Sequence, residues 1–278
     1  MIGSVLAVFC FEWKRSFTWP RMMWWLVLMC FPIFIMGLVR YNALNAISAS
    51  DRSQEVFLTG WLALCAWLLF ALIPMLVAML GTLLWTTPAI SAELERKSWI
   101  YLAVRPHGSL SVVIGKYLTA VTWVFPPAIL GLTIAVLLAG LSTWTEVGRV
   151  WWTMLRLVLL SVPAYGAIYL LIGVLLPRRA MTFAVAYTLI FELVISFVPA
   201  VINKLTVQYR LRSLLVEWCE LSLIGPNGRP LSTSLTVIGT EPAWQHVLIL
   251  MAMSIGLVGL SVVVLKSREF SSSAESET

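Results

Sequence analysis

Six long stretches of this chain, 22–39, 57–84, 113–141, 152–176, 180–202 and 244–265, are apolar and carry at most one charged side chain each. A helix needs about 20 mostly apolar residues to cross a bilayer. Runs of this length restrict the chain to an all-α membrane protein with six transmembrane helices. The first run is bracketed by Arg21 and Arg40. The second lies inside an uncharged stretch, 56–92, too long for one crossing. It is read as a span that continues beyond the membrane, with Pro74 as a kink.

Composition agrees. Hydrophobic residues make up 60% of the 278, against roughly 45–50% in soluble domains. A soluble fold could not hide that much apolar surface. The net charge of +6 therefore reflects basic residues flanking spans, not a nucleic-acid site. With one Asp (Asp51) and two His (His107 and His246), no Asp/His-rich site can be built. The four Cys show no CxxC spacing, so neither a disulfide framework nor a metal site is expected.

An even number of spans puts both termini on one side. With the N-terminus cytoplasmic, eleven Lys and Arg lie on that side and eight on the other. The ratio becomes eleven to four when the long segment 203–241 is set aside as folding on its own. Residues 1–11, MIGSVLAVFCF, have no basic residue ahead of the apolar part. They are read as a surface amphipathic helix ending near Pro20, not as a secretory signal. Within 203–241, Leu211, Leu214, Leu215 and Trp218 follow i, i+3, i+4, i+7 spacing, with Ser213, Glu217 and Glu220 opposite. This amphipathic helix, closed by GPNGRP at 225–230, is either a gate in the outer leaflet or a cap on the bundle. The Ser-rich end, 267–278, has no apolar period and is expected to be a disordered tail.

Chemistry is sparse. The nearest approach to a phosphate loop, Gly108 to Gly115-Lys116-Tyr117, has its glycines too far apart and Tyr where a hydroxyl ligand for magnesium belongs. No catalytic residues and no cofactor on this chain are expected. Charged groups inside a bilayer are costly, so Glu192 in the fifth span stands out. It is either a substrate- or proton-sensing group or a packing residue hydrogen-bonded between helices. Arg156, in the fourth span, either partners it or snorkels to the interface.

Residues 90–106, ISAELERKSWIYLAVRP, break the apolar pattern. Glu93 and Lys97 are spaced i, i+4 for a helical ion pair, bulky Trp99, Tyr101 and Leu102 follow, and Arg105-Pro106 stops the helix. Together with Gly115-Lys116, this stretch resembles the ABC-2 type permeases. Those commonly show an acidic pair, a Gly-Thr, an apolar run, a Pro and a Gly-Lys between the second and third spans. Here Glu93 and Glu95 supply the acids, while Lys97-Ser98 stands where Gly-Thr is usual. Residues 11–21, FEWKRSFTWPR, resemble the family's interfacial elbow helix.

The resemblance implies a permease subunit paired with a second, identical or related, permease chain in the bacterial inner membrane. It also implies two copies of a separate ABC ATPase that bind ATP and Mg. Glu93, Glu95, Arg96, Lys97 and Trp99 would form the coupling helix docked on the ATPase, and Glu12, Lys14 and Arg15 would belong to the elbow. A membrane-embedded enzyme, an accessory scaffold or a secondary transporter is the alternative.

Overall fold

The computed structural model describes residues 2–49, 52–95, 108–197, 201–220 and 241–275, all helical or in turns and with no strand among them. Helix α1, Ile2–Ser16, is followed after a two-residue break by α2, Trp19–Ala49. Pro20 falls in the first turn of α2, where its missing N–H costs nothing and its fixed φ suits helix entry. The second span is composite. Helix α3, Arg52–Phe70, passes through a π-helical turn, Ala71–Val77, into α4, Ala78–Glu95. Pro74 sits in that turn, where wider hydrogen bonding accommodates a residue without an N–H.

Helix α5, Gly108–Ala139, and α6, Trp144–Leu175, form the third and fourth spans. The start of α6 is fixed by a capping box. Thr143 Oγ1 accepts the Glu146 N–H at 3.3 Å, and Glu146 Oε2 accepts the Thr143 N–H at 3.3 Å. At the far end of α5, the Arg40 guanidinium donates to the carbonyls of Ala139 and Gly140, the cation that helix C-termini favour.

The fifth span is irregular. Helix α7, Ala180–Tyr187, turns π-helical over Thr188–Val194 and 3-10 over Ile195–Phe197. Helix α8, Val207–Trp218, follows, and α9, Ala243–Glu275, is the last. A tail without structure is expected over 267–278, but the backbone stays helical to Glu275. No Gly or Pro follows Gly259 within this helix, and extending a helix is far cheaper than nucleating one.

Among the described residues, six helices are thus long and apolar enough to cross a membrane. They are not equivalent. The α6 window is 72% buried inside the protein, whereas those of the first, fifth and sixth spans are only 17%, 28% and 22% buried. Helix α6 is therefore the axis of a bundle whose outer members face their surroundings. It comes close to α4 at Gly173, where a Cβ would stand 2.7 Å from the carbonyl oxygen of Thr87. Only glycine permits that crossing. One large core runs along α6, and a smaller cluster, including Ile90, Val113, Leu170, Val174 and Leu265, closes the end of the bundle nearest α1.

Candidate functional site

At the α1 end of the bundle a buried cation gathers three helices. Lys116, in the third turn of α5, lies with Nζ 2.6 Å from Glu93 Oε1 on α4 and 3.2 Å from Glu12 Oε1 on α1. Its side chain is 7% exposed, and those of Glu12 and Glu93 are 15% and 18% exposed. A buried ammonium is costly unless paired. Two carboxylates meet that cost here and tie α1 to α4 and α5.

The residue before it explains how α1 comes so near. A Cβ on Gly115 would stand 2.7 Å from Val8 Cγ1, so α1 rests directly on the α5 backbone. Edge-on aromatic contacts continue the interface, with Trp123 against Trp13 at 5.0 Å and Phe17 at 4.8 Å between ring centroids. Arg21 donates to Ser16 Oγ at 3.0 Å, and that hydroxyl donates in turn to the Glu12 carbonyl at 2.8 Å. Lys14 is exposed, and Arg15 lies 3.9 Å from Glu12 with more than half its side chain exposed.

Glu93, expected to face a partner through its charge, is thus turned onto Lys116 of its own chain. Glu95 ends α4, while Arg96, Lys97 and Trp99 lie outside the described residues. The expected Glu93–Lys97 pair lies outside them as well.

The second constellation lies where the fifth span meets α8. Glu192, fully buried in the π-helical turn, accepts four hydrogen bonds. Two come from the backbone N–H groups of Val207 and Gln208, at 3.2 and 3.0 Å. Two come from the phenols of Tyr187 and Tyr165, at 3.0 and 3.4 Å. The amides belong to the first turn of α8, where unsatisfied donors and the helix dipole favour an anion. Thr206 caps the same turn, its Oγ1 accepting the Tyr209 N–H at 3.3 Å. Gln208 donates through Nε2 to Tyr165 Oη at 2.7 Å. Arg212 donates to the Ser196 carbonyl and stacks on Phe197 at 4.3 Å.

Arg156 is not the partner of Glu192. Its guanidinium lies over the rings of Trp152 and Trp218, at 5.4 and 5.6 Å, and so finds an aromatic seat instead of a carboxylate. Leu211, Leu214 and Leu215 are buried as their spacing predicts, and Trp218 is half-buried. On the opposite face Glu217 is exposed, as is Glu220 just past the helix end, whereas Ser213 is buried and donates to the Tyr209 carbonyl; Gln208 and Arg212, beside the leucine stripe, are buried too. Helix α8 packs on α6 and α9. It ends at Trp218, before the 225–230 turn cluster, with Glu220 at φ 51°.

Beyond α8 an ion pair joins the ends of the connecting segment. Lys204 Nζ is 2.7 Å from Glu241 Oε1, which holds the Glu241 carboxyl below the usual range and raises the Lys204 ammonium.

Sequence reasoning missed Tyr165, Tyr187, Gln208 and Arg212. Gln208 and Arg212, polar at i, i+4 in an otherwise greasy chain, were a usable signal; the tyrosines carried none. No protein-family model, no curated protein and no solved structure matches the chain. The functional reading rests on residues and geometry.

Proposed function

We propose that this chain is the transmembrane permease subunit of an ABC-2 type exporter. It pairs with a second permease chain and is driven by two separate ATPase subunits that bind ATP and Mg. The chain hydrolyses nothing itself. It resides in a bacterial inner membrane with both termini cytoplasmic, and residues 93–99 form the docking element for the ATPase.

The observation that carries this reading is the convergence on Lys116. The N-terminal helix, the end of the second span and the Gly-Lys of the third are the pieces of the family resemblance. They meet in one buried ion cluster, on both flanks of 96–107. A segment that passes on a partner's motion must be mounted rigidly. A push there would move α1, α4 and α5 together. Glu192 gives a second support. The one acid that a proton-coupled transporter could use is held by four donors of its own chain, which favours a structural role at α8.

The test is affinity purification of the chain from its native membranes, identification of any co-purifying ABC ATPase, and ATPase assay of the co-expressed pair in nanodiscs. Two ATPases per two permeases are expected. Because Glu93 is engaged internally, the informative substitutions are Arg96→Glu, Lys97→Glu and Trp99→Ala. They should abolish association while the unfolding midpoint stays put. Association that survives all three, or transport by the chain without any ATPase, overturns the proposal.

A further inference from the structure

Between α1, the end of α4 and the start of α5 lies an open cleft of about 700 Å³, within the range of small-molecule sites. Three cations line it, Arg15, Arg21 and Lys116, against two acids, Glu12 and Glu93. Both acids are engaged by Lys116, and Glu12 also stands near Arg15. The balance is one positive charge, and it rests with Arg21, which donates to the neutral hydroxyl of Ser16.

A second feature is independent of charge. Trp123, 3% exposed, also lines the cleft, and its indole N–H has no hydrogen-bond partner among the described residues. A buried donor left unmade costs about 1–3 kcal/mol. An acceptor entering the cleft removes that cost. Ser16, Thr18 and Thr119 add hydroxyls to the wall, and Trp85, Ala89 and Ala120 form an apolar part of it beside the charged rim.

Depth identifies the occupant. Arg21 stands at the head of the first span, Glu93 at the tail of the second and Lys116 near the head of the third, so the charged rim lies where the spans leave the apolar layer. An anion with an apolar tail meets all these conditions at once. We infer that the cleft binds the phosphate headgroup of an anionic membrane lipid. Arg21 and Arg15 hold the phosphate oxygens, the Trp123 N–H donates to an oxygen of the headgroup, and the acyl chain lies against Trp85 and the alanines. Guanidinium groups suit phosphate because their fork of N–H donors matches two oxygens. Basic pockets at span ends are a general means of holding such headgroups. A zwitterionic lipid gains less, because its cationic group would need an acid and both acids are taken. This inference does not depend on whether an ATPase drives the chain.

The test is native mass spectrometry of the delipidated full-length chain, titrated with phosphatidylglycerol and, separately, phosphatidylcholine. Retention of phosphatidylglycerol should be about tenfold stronger, because phosphatidylcholine brings a quaternary ammonium into a cleft of net positive charge, a repulsion of about 1 kcal/mol or more. Arg21→Gln should abolish that preference, Arg15→Gln should reduce it, and Arg149→Gln at the opposite end should leave it unchanged. Arg15 and Arg21 are exposed, so these variants keep the fold. Trp123→Phe, checked for an unchanged melting point, should weaken retention without restoring phosphatidylcholine. Equal retention of the two lipids, or an Arg21→Gln chain that still prefers phosphatidylglycerol, overturns the inference. Displacement of the lipid by millimolar inorganic phosphate also overturns it, because a free anion would then be the ligand.

Discussion

Lys116 is one side chain on which three helices depend. Lys116→Met keeps the length and apolar stem of the residue but takes from Glu12 and Glu93 the cation they share. Removing one member of a buried ion cluster costs about 3–5 kcal/mol, largely from stranding the remaining charge. Both acids here retain some exposure, so the lower end, about 3 kcal/mol, is expected in denaturant unfolding of the chain in detergent. Adding Glu12→Gln and Glu93→Gln to Lys116→Met removes the stranded charges and should recover most of that loss. An unchanged midpoint for Lys116→Met alone would show that the cluster does not hold in solution. The sequence exposed half of this site. Glu93 was conspicuous because acids are rare in so apolar a chain, and Gly115-Lys116 was visible as a pair. That they meet was not, because Glu93 had a nearer candidate four residues away, while Lys116 lies 23 residues on and Glu12 is 81 residues from Glu93 and 104 from Lys116. Local spacing names local partners; the approach of α1 depends on the missing side chain of Gly115.

Helix α8 shows the same limit from the other direction. Its leucine spacing identified the buried stripe, but a stripe with polar residues opposite predicts a helix lying flat with one wet face. Polar residues are buried here as well, because they are satisfied from inside. Ser213 bonds back to its own helix, Arg212 reaches the end of the fifth span, and Glu192 takes the free amides of the first turn. Pairing by charge alone assigns Arg156 to Glu192, because phenols and helix amides leave no charge signature in a sequence. If Glu192 anchors α8, Glu192→Ala should free the Val207 and Gln208 amides. Their hydrogen exchange, and that of the 207–218 peptide, should accelerate tenfold or more, on the order of one lost charge-assisted hydrogen bond. The melting of the remaining spans should fall by less. Exchange at wild-type rates would remove the anchoring role. The ion pair at the edge of this element makes a pH prediction with a definite sign. The folded Glu241 carboxyl titrates below its unfolded value, so its contribution is present above the ordinary carboxylate range and disappears as pH falls through the depressed value. In a 13C-glutamate NMR titration, Lys204→Gln should raise the Glu241 midpoint toward the ordinary glutamate range. A midpoint that does not move would mean that Lys204 is not the cause.

Across the bundle, the number of spans was legible and their ranking was not. Each apolar run looks alike in the sequence because lipid and a neighbouring helix accept the same residues. The structure separates them: α6 is enclosed, whereas α2, the fifth span and α9 are open along most of their length. Glycines make that ranking testable, because the same residue type meets opposite surroundings. At Gly173 a Cβ collides with the backbone of α4, and backbone cannot swing aside as a side chain can. Gly173→Ile must therefore push α4 and α6 apart, and both the long core and the cluster at the α1 end lie along that contact. At Gly256 and Gly259 on α9, a Cβ meets nothing within 4 Å. Overpacking a core costs about 1–3 kcal/mol, whereas a substitution on an open face stays within about 0.5 kcal/mol. Gly173→Ile should lower the unfolding midpoint sharply or prevent accumulation of folded protein. Gly256→Ile and Gly259→Ile should leave the isolated chain unchanged, with a helical propensity slightly better than that of glycine. If all three variants unfold alike, α6 is not the axis of the molecule, and a push on the 96–107 segment would have no rigid centre to move against.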